Sequence, residues 1–359
     1  TDAPARLSGN APDWGLLALV SVPVALVVVL AGQSYFAIDR ELTAVALSRR
    51  TAIARFAAVT LSEKFDRLVD IGTTIAIHPQ VRATIGAGRW FEASQNLADA
   101  RAAISHIDRI VLTNSEGALR AAVPDATAVT GMRFSDRDWY QGVSREWKPY
   151  VSDVYRRPAA PQDNVFAVAA PIRDASGGVT GILVLQMRPQ AFFEWTRGIE
   201  IGEGGHLVVV DRKGRVAFDT RDPAQGDDAD LSMVPAVRQA LKGERGVEVA
   251  VSGPENEENV IAYQPIAKFG WAVIAEQPAI ATFESRNHQL TRLRIAYALI
   301  VLLCACVAYL AARVVLQRRH SEIDQRVKAE LERRVMERSA QLETANKELE
   351  ILSYSVSHD

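Results

Sequence analysis

The chain ends on a histidine followed by an acid, His358 and Asp359, a pair with the residue types for nucleophilic chemistry. An exposed imidazole titrates near neutral pH, so a neutral ring nitrogen can act as a nucleophile without unusual activation. For an isolated Ser-x-Ser-His, the simpler interpretation is a surface histidine at the end of a helix. The segment that leads to the pair therefore decides its meaning.

The segment before His358 has the pattern of a coiled coil. Small or apolar residues alternate three and four positions apart, at Leu342, Ala345, Leu349, Leu352 and Val356. This spacing forms the seam along which two parallel helices pair. His358 lies two positions past Val356, so a parallel dimer holds its imidazole off the packed face and open to a reactant.

Residues 353–359, Ser-Tyr-Ser-Val-Ser-His-Asp, resemble the start of the phosphoacceptor (HisKA) helix of sensor histidine kinases. The resemblance implies that His358 is the phosphorylated residue and that Asp359 is the adjacent acid that assists transfer. It implies a response regulator receiver domain as a partner, and ATP and Mg²⁺ as cofactors of a catalytic domain. The sequence contains no glycine-rich or ATP-binding motif of such a domain. The chain alone is therefore predicted to need no cofactor and to phosphorylate nothing; the kinase is the longer parent.

A second cluster, Phe134-Ser-Asp-Arg-Asp-Trp-Tyr140, has the residue types of a binding site. It lies in a long connection, about Pro124 to Asn164, and long loops in compact domains commonly carry function. The planar fork of Arg137 can make two charge-assisted hydrogen bonds to one carboxylate. The alternative interpretation is that the two aromatics are core residues and that Arg137 is a surface salt-bridge partner.

Two apolar runs frame the segment that carries this cluster. No charged residue occurs from Trp14 to Ile38, and a second run extends from Ile295 to Ala312, or to Leu316 if Arg313 snorkels. About 20 apolar residues cross a bilayer. The first run is also longer than the apolar core of a typical signal peptide, which is the rival interpretation.

Basic residues cluster after the second run, at Arg318, Arg319, His320, Arg326 and Lys328. Positive charge beside a membrane end is typical of the cytoplasmic side. The pattern predicts a multi-pass protein of a bacterial inner membrane, in contact with lipid, with both termini in the cytoplasm. Residues 39–294 then lie in the periplasm.

This outer segment has helical periodicity first and strand patterns afterwards. A helix is predicted from about Asp39 to Ile77, and a second from roughly Trp90 to His106. The strand motifs then occur twice: Ile110–Gly117 is echoed by Leu207–Gly214, Val165–Ile172 by Val260–Ile266, and Gly181–Met187 by Gly270–Glu276. The repetition predicts two similar α+β modules in tandem.

A long stalk helix before two such modules resembles the double Cache family of extracellular sensors, whose modules are PAS-like; the resemblance covers about Asp39 to Asn287. It implies that Arg137 binds a ligand carboxylate and that Trp139, Tyr140 and Tyr155 wall the pocket. Gln186 or its neighbour stands where amino-acid sensors of the family carry an Asp for the ligand amine. Met132 replaces a family Tyr. An ammonium ion buried without a counter-charge is costly, so the predicted ligand is a small carboxylate without an α-amino group.

The predicted fold class is α+β: two tandem PAS-like (double Cache) modules on a long stalk helix, flanked by two transmembrane helices and followed by a parallel dimeric coiled coil. The cytoplasmic N-terminus is predicted at residues 1–13, and the membrane helices at 14–38 and 295–316. The sensor domain is predicted at 39–294, with its two modules at about 108–190 and 200–280. The coiled coil is predicted at 317–352 and the start of the phosphoacceptor helix at 353–359.

The function predicted from these features is the sensory part of a membrane-bound two-component histidine kinase. A small carboxylate bound outside the inner membrane would control ATP-dependent autophosphorylation of His358 and phosphotransfer. The alternatives are a non-enzymatic double Cache chemoreceptor and a receptor with a cyclic-dinucleotide enzyme downstream. The expected partner is a second copy of the chain; a net charge of −2 gives no reason to expect nucleic acid.

No metal site is predicted. Cys304 and Cys306, the only cysteines, lie inside the second apolar run, which excludes a disulfide framework or a thiolate metal site in the outer segment. The outer histidines are scattered, and the acids of the loop from Asp219 to Asp230 lack the regular spacing of calcium ligands. That loop is interpreted as solvated.

No glycine or proline occurs between Ala312 and Asp359. The second membrane helix and the coiled coil are therefore predicted to form one nearly continuous rod that passes on a rotation or a small axial shift. Continued backwards in the same phase, the seam places Arg338, Lys328 and Asp324 at core positions. Weak packing there would allow two dimer arrangements of similar energy.

Overall fold

A computed structural model describes residues 14–222, 229–252 and 257–356. His358 and Asp359 therefore lie outside the described residues. The chain divides into two compact units, one of residues 41–287 and one of residues 1–40 and 288–359.

The helices and strands have the following bounds. The helices are α1 Trp14–Ile77, α2 Pro79–Gly86, α3 Trp90–Asn96, α4 Ala98–Ala103, α5 Asp138–Glu146, α6 Pro189–Phe193, α7 Pro235–Leu241 and α8 Ala279–Val356. Short 3₁₀ segments lie at Thr127–Val129 and Glu194–Gly198. The strands are β1 Arg109–Asn114, β2 Leu119–Val123, β3 Tyr150–Val151, β4 Tyr155–Arg156, β5 Asn164–Arg173, β6 Val179–Met187, β7 His206–Val210, β8 Val216–Asp219, β9 Gly246–Ser252, β10 Glu257–Ile266 and β11 Trp271–Pro278.

The first sheet is antiparallel, with the order β2-β1-β6-β5-β3, and β4 pairs with β5. Alternate residues of a strand face opposite sides. Phe166 and Val168 of β5 therefore belong to one hydrophobic core, whereas Ala167 and Ala169 belong to another on the opposite face. The second core is closed by Trp139 and its neighbours on α5, so the motif found in the sequence covers one face of this sheet.

The second sheet has the order β8-β7-β11-β10-β9, also antiparallel. Its strand order corresponds to that of the first sheet, with β7, β10 and β11 in the places of β1, β5 and β6. The three repeated sequence motifs fall on these three pairs of strands. The sequence repetition therefore reflects two sheets with the same order of strands.

One stripe of α1 packs against both sheets. Its buried positions Ala54, Ala58, Leu61, Phe65 and Leu68 are three and four residues apart, which puts them on one face of a helix. The Phe65 ring lies 5.6 Å from Phe166 of the first sheet and 5.1 Å from Trp271 of the second, both edge to face. Such pairs stabilise a core beyond the area they bury, so this helix ties the two sheets into one unit.

The helix predicted from Trp90 to His106 is two short helices, α3 and α4. The break falls at Leu97, whose N–H bonds to the carbonyl of Ser94 three residues back in a tight turn. Leu97 is almost fully buried. The break thus lets the side chain of Leu97 pack into the core. Helical periodicity alone does not predict it, because it depends on tertiary packing.

Two helices of the described part are long and apolar enough to cross a membrane, judged by length and composition. Within Ser21–Ile77 an 18-residue window has a mean hydropathy of 1.8, and within Ala279–Lys347 an 18-residue window has a mean hydropathy of 2.6. Neither window is buried. As predicted, α1 runs without interruption through Asp39, and Pro23 is accommodated inside it. In the unit of residues 1–40 and 288–359, Tyr297 donates to Ser34 Oγ at 2.8 Å.

Candidate functional site

A cavity lies on the α5 face of the first sheet. It encloses about 420 Å³ between its lining atoms, mouth included, and only about 30 Å³ admits the centre of a water-sized sphere. Its polar lining comes from Arg109, Arg137, Tyr155, Arg157 and Gln186; its apolar lining includes Val111, Leu119, Val129, Phe134, Trp139 and Val184. A narrow, mostly apolar space with a few convergent polar groups is the usual form of a small-ligand site.

Arg137 stands immediately before α5, in an extended conformation with φ −79° and ψ 144°. Its guanidinium is partly exposed, with Asp136 Oδ2 3.9 Å from its Nε, too far for a hydrogen bond. The Nε atom itself is buried and has no hydrogen-bond partner among the described residues. The side chain therefore keeps a charged donor available to the cavity.

Tyr155 and Gln186 form a hydrogen-bonded pair in the cavity wall. Gln186 Nε2 donates to Tyr155 Oη at 2.9 Å, which joins β4 to β6. Burial raises the pKa of Tyr155 above its ordinary value, so the phenol stays neutral. The pair presents hydrogen-bonding groups without charge.

Arg109 is the direct cross-strand neighbour of Gln186 in the β1–β6 pairing. It is only 6% exposed. Its Nη2 donates to the carbonyl of Ala160 at 3.0 Å, whereas Nε and Nη1 have no partner among the described residues. Burial, and secondly repulsion from Arg157, lower the pKa of Arg109.

Arg157 also lines the cavity, but its charge is compensated. It forms an ion pair with Asp108 and a second, at 3.0 Å, with Asp163. Its Nε donates to the carbonyl of Pro161 at 2.6 Å. With its donors engaged in this way, Arg157 shapes the wall and holds the β4 segment in place.

Tyr140 does not line the cavity. Its hydroxyl donates to the carbonyl of Ser115 at 3.0 Å, on the turn between β1 and β2. Gly117 in that turn has φ 82°, and a Cβ there would lie 2.7 Å from Tyr140 Cδ2. Glycine is therefore needed for both the backbone conformation and the close approach of the ring.

The structure thus brings together four of the five ligand residues predicted from the sequence: Arg137, Trp139, Tyr155 and Gln186. Trp139 is nearly fully buried, so it is both a core residue and a wall of the cavity. Sequence reasoning missed Arg109 and Arg157. The signal for Arg109 was present, because it precedes Val111 at strand spacing and so shares its face, where a charged residue is unexpected.

A second, larger cavity lies on the second sheet and encloses about 850 Å³ between its lining atoms, mouth included. The cross-strand pair at its wall is His206 and Glu276, in the places that Arg109 and Gln186 take in the first sheet. Asp219 and Asp222 also line it. In the described ranges no group of three or more His, Cys, Asp or Glu side chains is arranged to hold a metal ion.

Residues 41–287 thus combine a long helix with two antiparallel sheets and a narrow cavity on the first sheet. The chain belongs to the Cache domain family, whose dCache_1 form matches residues 37–285. The mixed α+β architecture predicted from the sequence is confirmed by this match. No curated protein sequence matches the chain.

Several solved structures share the fold. The extracellular domain of the putative histidine kinase mmHK1S-Z2 aligns with a TM-score of 0.53 and 13% identity, over 67% of this chain and 99% of that domain. The ligand-binding domain of the Pseudomonas fluorescens chemoreceptor CtaA, in complex with L-isoleucine, aligns with a TM-score of 0.53 and 13% identity, over 68% of this chain and 98% of that domain. The ligand-binding domain of the Pseudomonas aeruginosa PAO1 chemoreceptor PctB, in complex with L-Gln, aligns with a TM-score of 0.50 and 15% identity, over 65% of this chain and 90% of that domain.

Proposed function

We propose that this chain is the sensory part of a membrane-bound histidine kinase that binds a small carboxylate in the cavity beside Arg137. Binding outside the inner membrane regulates autophosphorylation of His358 and phosphotransfer to a response regulator. The observation that carries the binding proposal is the cavity itself. It collects Arg137 and Arg109, each with a buried guanidinium nitrogen that has no hydrogen-bond partner among the described residues. No aspartate or glutamate occurs among its described lining residues.

This composition favours an acid without an amino group. A carboxylate would pair with a guanidinium in a low-dielectric space, where charge-assisted hydrogen bonds are strong. An α-ammonium group would find only the neutral Gln186 and Tyr155, and burying it beside two cations is unfavourable. Amino acids are therefore expected to bind more weakly than the corresponding simple acids.

The proposed topology has residues 14–38 and 295–316 crossing the membrane. Residues 39–294 form the outer sensor, with its two sheets as tandem PAS-like modules at about 108–190 and 200–280. The basic residues after Leu316 support cytoplasmic termini. The apolar windows of both helices are not buried within the chain, in keeping with contact with lipid.

The proposed output is a parallel homodimer of residues 317–352 that presents the helix starting at residue 353. Seam residues Leu331, Val335 and Leu342 are 62–70% exposed in the single chain. A row of large exposed apolar residues on one helix face favours pairing with a second copy. His358 and Asp359 would then act as the phosphoacceptor and its assisting acid.

A chemoreceptor is the second candidate, because the fold is equally similar to the chemoreceptor domain of CtaA and to the histidine kinase domain of mmHK1S-Z2. The sequence of residues 353–359 favours the kinase. Phosphorylation of His358 distinguishes the two.

The binding proposal is tested by Arg137→Met in the full chain, reconstituted in lipid nanodiscs and titrated by calorimetry with propionate, butyrate, alanine and 2-aminobutyrate. One charged hydrogen-bonded contact contributes about 1.5–3 kcal/mol, so Arg137→Met should weaken binding of the simple acids about ten- to a hundredfold. The matched control is Arg133→Met, which removes an exposed arginine paired with Glu116 at 2.7 Å. Unchanged affinity in Arg137→Met, or a preference for the amino acids, would refute the assignment.

A further inference from the structure

Arg109 is a buried cation with unused hydrogen-bonding capacity. The side chain is 6% exposed, and two of its three guanidinium nitrogens have no partner among the described residues. The nearby carboxylates of Asp108 and Asp125 act on it only through space, without an ion pair to Arg109. Each is engaged elsewhere: Asp108 with Arg157 and Arg188, and Asp125 with Thr127 and the N–H of Ala126.

A buried guanidinium without an anionic partner destabilises the folded chain, and a bound anion would remove that cost. A buried charge is normally paired and hydrogen-bonded, and an unpaired one costs several kcal/mol. In the same wall, the positive charge of Arg157 is neutralised by two carboxylates, those of Asp108 and Asp163. Arg109 has no equivalent.

Arg137 and Arg109 enter the cavity from different elements. Arg137 belongs to the connection that begins α5, whereas Arg109 belongs to β1 on the sheet itself. A single carboxylate carries one negative charge and cannot neutralise both guanidinium groups. Two acidic groups on one ligand would satisfy both guanidinium groups.

We infer that the ligand is a small dicarboxylate, with one carboxylate held by Arg137 and the other by Arg109. This inference rests on the proposed carboxylate site and specifies its ligand class. The apolar lining of the same cavity, such as Val111 and Val184, suits a short carbon chain. Gln186, the cross-strand neighbour of Arg109, adds an uncharged polar side chain to the wall beside it, with Nε2 already donating to Tyr155.

The test compares acids of equal carbon number with one or two carboxylates. The full chain in nanodiscs is titrated with malonate and propionate, succinate and butyrate, and glutarate and valerate, at a pH of about 7.5, where all carboxyl groups are ionised. At least one dicarboxylate should bind about tenfold or more tightly than its partner, since a second charge-assisted contact is formed.

Arg109→Met should abolish this preference, because the dicarboxylate of each pair loses more affinity than the monocarboxylate of equal carbon number. Arg109→Lys should keep part of it, because the charge remains. Arg137→Met should weaken both acids of each pair. Arg50→Met is the matched control, because Arg50 is as buried as Arg109 and also has an unpartnered Nε, but it lies outside the cavity.

Equal binding of both acids in every pair, or a preference that persists in Arg109→Met, would overturn the dicarboxylate inference while the carboxylate site stands. Absence of binding by all six acids would overturn both proposals. If Arg109→Met does not fold, the wild-type ratio and the partial preference of Arg109→Lys decide the question.

Discussion

Arg212 Nη1 lies 2.9 Å from Asp153 Oδ1, and this ion pair joins the two sheets. Arg212 is on the turn between β7 and β8, and Asp153 precedes β4, which carries Tyr155 of the cavity. The N–H of Asp153 donates to Asp138 Oδ2 at 2.8 Å, and Asp138 follows Arg137. A polar chain therefore runs from the proposed ligand-binding arginine to the second sheet.

The first prediction concerns the pH dependence of this ion pair. Burial, with the charges of Asp138 and Asp211, raises the pKa of Asp153, whereas Arg212 opposes the rise. A carboxyl with a raised folded-state pKa contributes stability at low pH and loses it as the pH rises through that pKa. Arg212→Met should raise the pKa further. The free energy of unfolding of the variant should be about 1–3 kcal/mol lower than that of the wild type at neutral pH. This difference should become smaller as the pH falls toward the pKa of Asp153, because the protonated carboxyl no longer needs the cation.

Chemical denaturation of wild type and variant at a series of pH values measures this difference. Lys213→Met is the control, because Lys213 is 3.6 Å from Asp153 and its side chain is 61% exposed. Because the Lys213 ammonium is exposed and lies beyond hydrogen-bond distance of Asp153, its removal should lower the free energy of unfolding by only about 0–1 kcal/mol. A deficit in Arg212→Met that does not change with pH would contradict the prediction.

The second prediction uses two tyrosines that differ in position. Tyr155→Phe removes the oxygen that accepts the Gln186 hydrogen bond in the cavity, so ligand affinity should fall about two- to tenfold. Tyr140→Phe removes a hydrogen bond to Ser115 outside the cavity. It should leave affinity unchanged and lower the free energy of unfolding by about 0.5–1.5 kcal/mol. Calorimetric titration and denaturation of both variants measure the two effects; the reverse pattern would place the ligand against Tyr140.

The third prediction concerns topology. In a background where Cys304 and Cys306 are replaced by Ser, single thiols are introduced by Lys242→Cys and Glu332→Cys, both at exposed positions. A membrane-impermeant maleimide applied to cells with a permeabilised outer membrane should label residue 242 and spare residue 332. Labelling of residue 242 only after the inner membrane is opened would reverse the proposed orientation.

The fourth prediction concerns the phosphoacceptor. If a kinase catalytic domain follows residue 359, as we propose, His358→Gln in that longer protein should abolish autophosphorylation. Dimerisation should stay intact, because the seam residues are unchanged. The phosphoryl label on the wild type should be labile in acid. His320→Gln is the matched control and should be phosphorylated normally. Acid-stable label on Ser353, Ser355 or Ser357 would contradict the assignment.

The fifth prediction concerns transmission along α8. Seven residues inserted near Glu330 preserve the heptad phase, whereas one or four inserted residues change which faces meet. Ligand-regulated kinase activity of the longer protein should survive the first insertion, and output should be locked high or low by the others. Equal regulation in all three variants would show that the rod does not carry the signal.

The sequence predicted much of this fold because its signals are local. Strand alternation located β1, β5 and β6 and their counterparts, whereas apolar runs and interrupted helical periodicity located α1 and most of α8. The split between α3 and α4 was missed, since burial of Leu97 depends on a sheet formed later in the chain. The two-membrane-helix topology and the coiled coil remain predictions.

The candidate site was only partly predictable for a similar reason. Arg137 and Trp139 lie together in one motif, and Gln186 was located by its strand position. Arg109 could have been noticed as a charged residue on the core face of β1, but its place beside Gln186 follows from the β1–β6 register, a contact between residues far apart in the sequence. The ion pair of Arg212 with Asp153 depends on two separate sheets and has no local pattern at all.

The uninterrupted course of α8 makes it a lever. From Leu316 to Val356 the helix covers about forty residues, or about 60 Å at about 1.5 Å per residue. A tilt of about 5° at the membrane exit would sweep its far end through about 5 Å, close to the pitch of one helical turn. A small change of angle near Leu316 would therefore be enough to move the far end of α8, and the length of the helix would set the size of that movement. Removing whole heptads should shorten the sweep in proportion while leaving the same faces in contact.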